Sequence, residues 1–259
     1  MSEDVLVITG GGSGIGRSVA LLAAQRGFSV GVLARSADSV RTVAEEASRL
    51  GAPKAAGLVC DVRSPRSVEV AFEEAERQLG PLTCLFANAG IEISGLAHEV
   101  ALDVWDSVIA TNLTGAFLAC QQALRSLLRT GRRGSLVLCS SPASFVGFAA
   151  GGATCYSASK GGVSSLVRSL AVDYARYGIR VNAVVPGATD TPLMWAGLSE
   201  EEMRSRREEL SGEIPLGRLA DPDEPAEAVL FLLSEQSRYV TGSHLVCDGG
   251  ILAKASISV

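Results

Sequence analysis

Val5-Leu6-Val7-Ile8-Thr9-Gly10-Gly11-Gly12-Ser13-Gly14-Ile15-Gly16 is the stretch whose reading decides the fold. Its first half is apolar with no polar alternation, the pattern of a strand covered on both faces of a parallel sheet. Beyond the glycines, Ile15, Val19 and Leu22 recur at helical spacing and Gly27 closes the run. A glycine-rich turn between such a strand and such a helix bends tightly and lets a phosphate approach without meeting a Cβ. The helix that follows offers free N–H groups and a partial positive charge. The spacing is Gly10-x-x-x-Gly14-x-Gly16. Any strand-to-helix turn can be rich in glycine, so the weight lies in this one ending the first strand.

The same rhythm continues outward. Further strands are expected at 29–34, 55–60, 83–87, 135–140, 180–185 and 243–247, all rich in Val, Leu and Ile. Helices are expected between them at 37–50, 65–79, 102–129, 156–177 and 224–234. Strand–helix alternation of this kind implies βαβ units. The expected fold is α/β: a doubly wound, Rossmann-type parallel sheet of seven strands with helices on both faces. No linker, repeat or low-complexity tract divides residues 1–259, which read as one domain. The polar segment 191–218, with apolar tips Leu193, Met194 and Trp195, interrupts the alternation. It reads as a lid over a site or as a solvated surface helix.

Composition narrows the function. With 47% hydrophobic and 20% charged residues, a large core is affordable. A net charge of -5 argues against a nucleic-acid or anionic-membrane partner. The six cysteines form no CxxC pair and sit mostly in apolar runs, as reduced thiols do. His98 and His244 are isolated, so no metal site is expected. The start MSEDVLVITG resembles neither a signal nor a transit peptide, and no apolar stretch reaches the roughly 20 residues of a membrane span. A cytoplasmic protein is expected.

Further motifs follow in order: Asn88-Ala89-Gly90 after the fourth strand, Asn112 in a helix, Tyr156-Ser157-Ala158-Ser159-Lys160, Pro186-Gly187 after the sixth strand, and Asp248-Gly249-Gly250. Together with TGGGSGIG they cover nearly the whole chain and resemble the short-chain dehydrogenases/reductases. That resemblance implies an oxidoreductase moving a hydride between a nicotinamide dinucleotide and an alcohol or ketone carbon. It places Gly10, Gly12, Ser13, Gly14, Ile15 and Gly16 on the pyrophosphate and Asn88, Ala89 and Gly90 along the ribose. It likewise places Pro186, Gly187, Thr189 and Thr191 on the nicotinamide amide. Asp61 with Val62 resembles the acidic site near the adenine, although Asp61 equally reads as a helix cap before Pro65.

The dinucleotide is read at the end of the second strand. An acidic residue there would accept from a ribose 2′-OH and repel a 2′-phosphate, whereas Arg does the reverse. Arg35 stands 19 positions after Gly16, followed by Ser36, with Arg17 a second cation nearby unless its side chain points elsewhere. NADP(H) is expected. If Arg35 is merely exposed or stacks on adenine, NAD(H) remains open.

Tyr156 and Lys160, four residues apart in an expected helix, share one face. A phenol of pKa near 10 is a poor base at neutral pH. A nearby ammonium and an oxidised nicotinamide would lower it and fit it for acid–base work. The resemblance adds that Lys160 holds the nicotinamide ribose and that Asn112 helps to hold a water on Lys160. The family also has a serine about 13 residues before the tyrosine to orient the substrate; here Ser141 is 15 before and Ser144 is 12 before. Ser141, at the strand end, is the expected residue and Ser144 the alternative. Val146, Phe148, Leu193, Met194 and Trp195 suggest a partly apolar pocket for a small carbonyl or alcohol. A non-catalytic dinucleotide sensor would be expected to lack Tyr156 or Lys160, and epimerising relatives tend to be longer. The resemblance further implies a homotetramer, or a homodimer, built through the two long helices, with the tail 251–259 over a neighbour's site.

Overall fold

A computed structural model of the chain describes residues 4–148 and 151–254. The strands are β1 (Val5–Thr9), β2 (Ser29–Ala34), β3 (Ala55–Val59), β4 (Cys84–Ala87), β5 (Gly134–Cys139), β6 (Ile179–Pro186) and β7 (His244–Cys247). All pair in parallel in one seven-stranded sheet of order β3-β2-β1-β4-β5-β6-β7. Each strand lies within one residue of its expected bounds at either end.

The helices are α1 (Gly14–Gln25), α2 (Ala37–Arg49), α3 (Pro65–Leu79), α4 (Leu102–Ile109), α5 (Gly115–Thr130), α6 (Thr154–Tyr174), α7 (Glu200–Glu213) and α8 (Asp223–Leu233). Side chains alternate across β1 and divide the core. Val5 and Val7 pack toward α3, α5 and α6 through Phe72, Leu124 and Val167. Leu6 and Ile8 pack toward α1, α2 and α8 through Val19, Val43 and Leu230. Burial on both faces holds for the central strands. The edge strands β3 and β7 depart from it, with Val59 and Val246 exposed.

Local chemistry explains the helix starts. The Ser36 and Ser64 hydroxyls accept from the N–H groups of Ser39 and Ser67, capping α2 and α3, and Pro65 opens α3 without wasting a donor. Asp61 is therefore not the cap of α3. The single helix expected at 102–129 is two, α4 and α5, joined by a π-helical turn over Ala110–Thr114. Hydrophobic periodicity is too coarse to register one inserted residue. The helix expected at 156–177 starts two residues earlier and ends in a 3-10 turn, Ala175–Tyr177.

In the segment 191–218, α7 buries none of its residues, and Ser199 and Glu202 form a reciprocal capping box at its start. The tail 251–259 and the turn at 148–152 lie partly outside the described residues.

Phe86, on β4, is fully buried among the α1/α8-side residues. Phe86→Ala is expected to cost about 3–5 kcal/mol through lost burial and the cavity left behind, measured as a lowered denaturant midpoint.

Candidate active site

β1 and β4 are neighbours, yet β1 leads through α1 to β2 on one side and β4 leads through α4 and α5 to β5 on the other. Between connections that part in opposite directions a crevice opens at the carboxyl ends of the strands. A cavity of about 440 Å³ occupies it. Its two walls are tied together by Thr9, whose Oγ1 accepts from the N–H groups of Asn88 (3.1 Å) and Ala89 (3.2 Å). Asn88 Nδ2 returns bonds to the carbonyls of Thr9 and Gly10.

At one end the backbone itself is the binding surface. Gly10 and Gly14 have φ of 66° and 50°, a region unfavourable to other residues. A Cβ on Gly16 would lie 2.4 Å from the Gly10 carbonyl oxygen, so the first turn of α1 packs on the loop only as glycine. Ser13 stands at the cap of α1 without a side-chain bond to it, leaving first-turn N–H groups for a ligand. Gly10, Gly12, Ser13, Gly14 and Ile15 line the cavity. This cradle fits a dinucleotide pyrophosphate.

Beyond the cradle the cavity is lined by Arg35, Ser36, Ser39, Cys60, Asp61, Val62 and Arg63. Arg17 is a correction to the expected second cation: its guanidinium pairs with Glu46 and does not line the cavity. The Asp61 carboxylate binds Arg63 (2.7 Å), and this guanidinium holds it below the usual carboxylate range. Arg63 and Ser39 are not among the residues expected from the sequence. Arg63 was findable two residues beyond Asp61; Ser39 lies on the first turn of α2, where nothing in the pattern singles it out.

At the opposite end Tyr156 and Lys160 project from α6. Lys160 is buried and donates to the Cys139 carbonyl at 2.7 Å, with Nζ 5.5 Å from the Tyr156 ring centroid. Burial pushes the Tyr156 phenol above its ordinary value, Cys139 and Glu92 add to the rise, and the Ser141 hydroxyl beside it pulls the other way. In the protein alone, desolvation of the phenolate outweighs the pull of Ser141; the lowering expected from an oxidised nicotinamide concerns the bound state. Ser144 turns away, its hydroxyl donating to the Ser141 carbonyl at 2.7 Å.

Asn112 lies in the π-helical turn, behind the cavity wall. Its amide donates to the Ile91 carbonyl (2.9 Å) and Ser159 Oγ (3.0 Å) and accepts from the Ile91 N–H (2.8 Å). Pro186, Gly187, Thr189 and Thr191 line the cavity with Asn88, Ala89 and Gly90. Gly187 packs so tightly on Asp248 that a Cβ would meet its Cα at 2.6 Å. Asp248 in turn accepts from the Gly250 and Leu252 N–H groups, so the Asp-Gly-Gly motif braces the wall from behind. Of the expected apolar lining, Leu193 and Met194 are present, whereas Val146, Phe148 and Trp195 are not. Ile91 and Glu92, next to Asn-Ala-Gly, were not singled out in the sequence. Among the described residues no group of His, Cys, Asp and Glu is arranged to hold a metal.

The family described as enoyl-(acyl carrier protein) reductase matches residues 10–252. The chain is 42% identical to cis-4-hydroxycyclohexanecarboxylate dehydrogenase of Sinomonas cyclohexanicum, over 97% of this chain and 98% of that one. It is 36% identical to 2-(S)-hydroxypropyl-CoM dehydrogenase 3 of Xanthobacter autotrophicus, over 98% of both. A short-chain type dehydrogenase/reductase from Mycobacterium marinum superposes with a TM-score of 0.91 at 33% identity, over 98% of this chain and 97% of that one. The chain belongs to the short-chain dehydrogenase/reductase family. As a short-chain dehydrogenase/reductase it is an oxidoreductase of CH–OH and C=O groups, and the family's redox partner is NAD(P)(H). No helix among the described residues is long and apolar enough to cross a membrane.

The half-buried, desolvated phenol has an optical signature. In cofactor-free enzyme, the tyrosinate absorbance of wild type minus Tyr156→Phe is expected to show no ionisation up to about pH 10; a titration near neutrality would contradict the burial.

Proposed function

We propose that the chain is an NADP(H)-dependent reductase of ketones, or dehydrogenase of secondary alcohols, with Tyr156 as its general acid/base. One observation carries the reading: the cavity running from the glycine cradle has Arg35 near one end and the Tyr156–Lys160 pair at the other. The dinucleotide, when bound, supplies or accepts the hydride. Tyr156, a half-buried phenol whose desolvation favours the protonated form, gives its proton to the ketone oxygen in reduction and removes it in the reverse direction. Ser141, beside the phenol, orients the substrate oxygen and stabilises its developing charge. The Lys160 ammonium, oriented by the Cys139 carbonyl, holds ribose hydroxyls and favours the phenolate as it forms. Asn112 is a positioning residue that pins Ile91 and so the loop leaving β4.

Cofactor choice rests on Arg35. It directly follows β2 and lines the cavity with Ser36 and Ser39, and the carboxylates of Asp38 and Asp61 are paired with Arg41 and Arg63. Arg35 and Ser36 suit a 2′-phosphate. NAD(H) use remains the second reading because Asp61 is within electrostatic reach of Arg35.

Segment 191–218 is assigned as the substrate lid of a single domain, 1–259. Leu193 and Met194 face the cavity, and a clamp holds the segment together: Asp190 accepts from Trp195 Nε1 (2.6 Å) and from Arg207 (2.9 Å), whose guanidinium lies 4.9 Å from the Trp195 ring. Free thiols at all six cysteines accord with a cytoplasmic enzyme. Exposed Leu102, Trp105 and Phe117 on α4 and α5, and Val172 on α6, support assembly as a homotetramer or homodimer.

Tyr156→Phe is expected to lower kcat by about 10²–10⁴-fold with the cofactor still bound. Ser141→Ala is expected to be far more damaging than Ser144→Ala, followed by absorbance of reduced nicotinamide. Arg35→Asp is expected to raise the KM for NADPH about tenfold or more and spare that for NADH; an unchanged NADPH value would refute the NADP assignment. Asp190→Asn is expected to raise substrate KM more than it lowers kcat.

A further inference from the structure

One carboxylate at the substrate end is unused by this chemistry. Glu92 follows Gly90 and Ile91 on the loop leaving β4 and lines the same cavity as Tyr156, Lys160, Leu193 and Met194. Two cations, Lys160 and Arg206, act on it through space, without a hydrogen bond. Each is engaged elsewhere: Lys160 with the Cys139 carbonyl (2.7 Å) and Arg206 with Glu209 (2.7 Å). Among the described residues, therefore, no donor is spent on the Glu92 carboxylate.

The loop is also held in place. The residue before Glu92 has both its N–H and its C=O bound by the buried Asn112 amide, at 2.8 and 2.9 Å. Glu92 itself is exposed, so solvent meets its carboxylate, and a donor on a bound substrate can take the place of water without moving the loop. The same cavity is lined by the apolar Ile91, Pro192, Leu193 and Met194 as well as by polar residues. A substrate seated against Tyr156 thus meets one negative charge in the same cavity, and the water it displaces on binding strengthens that charge's effect.

Resting on the redox reading above, we propose that Glu92 is the specificity-determining residue of the pocket. It accepts a hydrogen bond from a hydroxyl or ammonium group carried by the substrate and turns away substrates bearing a carboxylate, sulfonate or phosphate. The substrate class is then a neutral or cationic carbonyl compound with a second, donor-bearing polar group.

The test compares two ring ketones of equal size, a cyclohexanone bearing a hydroxymethyl group and one bearing a carboxylate. Reduction of each is measured for wild type, Glu92→Gln and Glu92→Ala, with NADPH and with NADH. The readout is the ratio of kcat/KM for the two ketones within one enzyme, which cancels any difference in the amount folded. Wild type is expected to prefer the hydroxymethyl ketone, and both variants to reduce that preference about tenfold or more. A ratio that moves less than about twofold, or a wild type preferring the carboxylate, overturns the selector and leaves the redox reading standing. A wild type inert toward both ketones with both cofactors overturns the two together.

Discussion

The parting of the chain between β1 and β4 is the constraint on which the rest depends. Two adjacent parallel strands that send their connections opposite ways leave a crevice that no helix can cover. The crevice needs both lips rigid, and backbone pairing ends at Thr9 and Ala87. The Thr9 hydroxyl and the Asn88 amide extend the tie past the last ladder bond, bracing the glycine loop on one lip and the Asn-Ala-Gly turn on the other. Because strand, loop and helix meet there without a Cβ between them, the phosphate end is built almost wholly from backbone.

The opposite end depends on a buried ammonium. Lys160 is almost wholly removed from water, and its fixed hydrogen bond from the protein is to the carbonyl that ends β5. Such a charge is tolerable only where further acceptors or ligand hydroxyls complete its shell. The phenol one turn away is desolvated by the same wall, so Tyr156 is kept as an acid until something in the site offsets that cost. Lys160 and Tyr156 are thereby coupled through what fills the space between them.

Most of the framework was legible in the sequence. Central strands such as Leu85-Phe86-Ala87 are uniformly apolar because both faces are covered, and the caps Ser36 and Ser64 punctuate the helices between them. Spacing alone placed Tyr156 and Lys160 on one face of α6. What escaped was the choice of partner: Arg17 is as close to the glycine loop in sequence as a residue can be, yet Glu46 takes its guanidinium. Asp61 finds Arg63 rather than the N-terminus of α3, because Ser64 already serves that end. The groups that act on the Tyr156 phenol, Cys139, Glu92 and Ser141, lie far from it in sequence, outside any local window. Glu92 carries no pattern at all; only its place in the cavity lining sets it apart.

The π-helical turn at Ala110–Thr114 has a consequence for how this fold tolerates change. One surplus residue is wound into an otherwise continuous helix, and it is the winding that delivers Asn112 to Ile91 and Ser159. Excising a single residue there would let α4 and α5 merge into one regular rod, relaxing the helix locally. The same excision would rotate the two halves by about 100° relative to each other, and the amide that steadies the β4 loop would swing out of register. A helix better by its own standards would thus leave the catalytic wall unsupported, which makes this turn a place where a deletion harms function more than it harms folding.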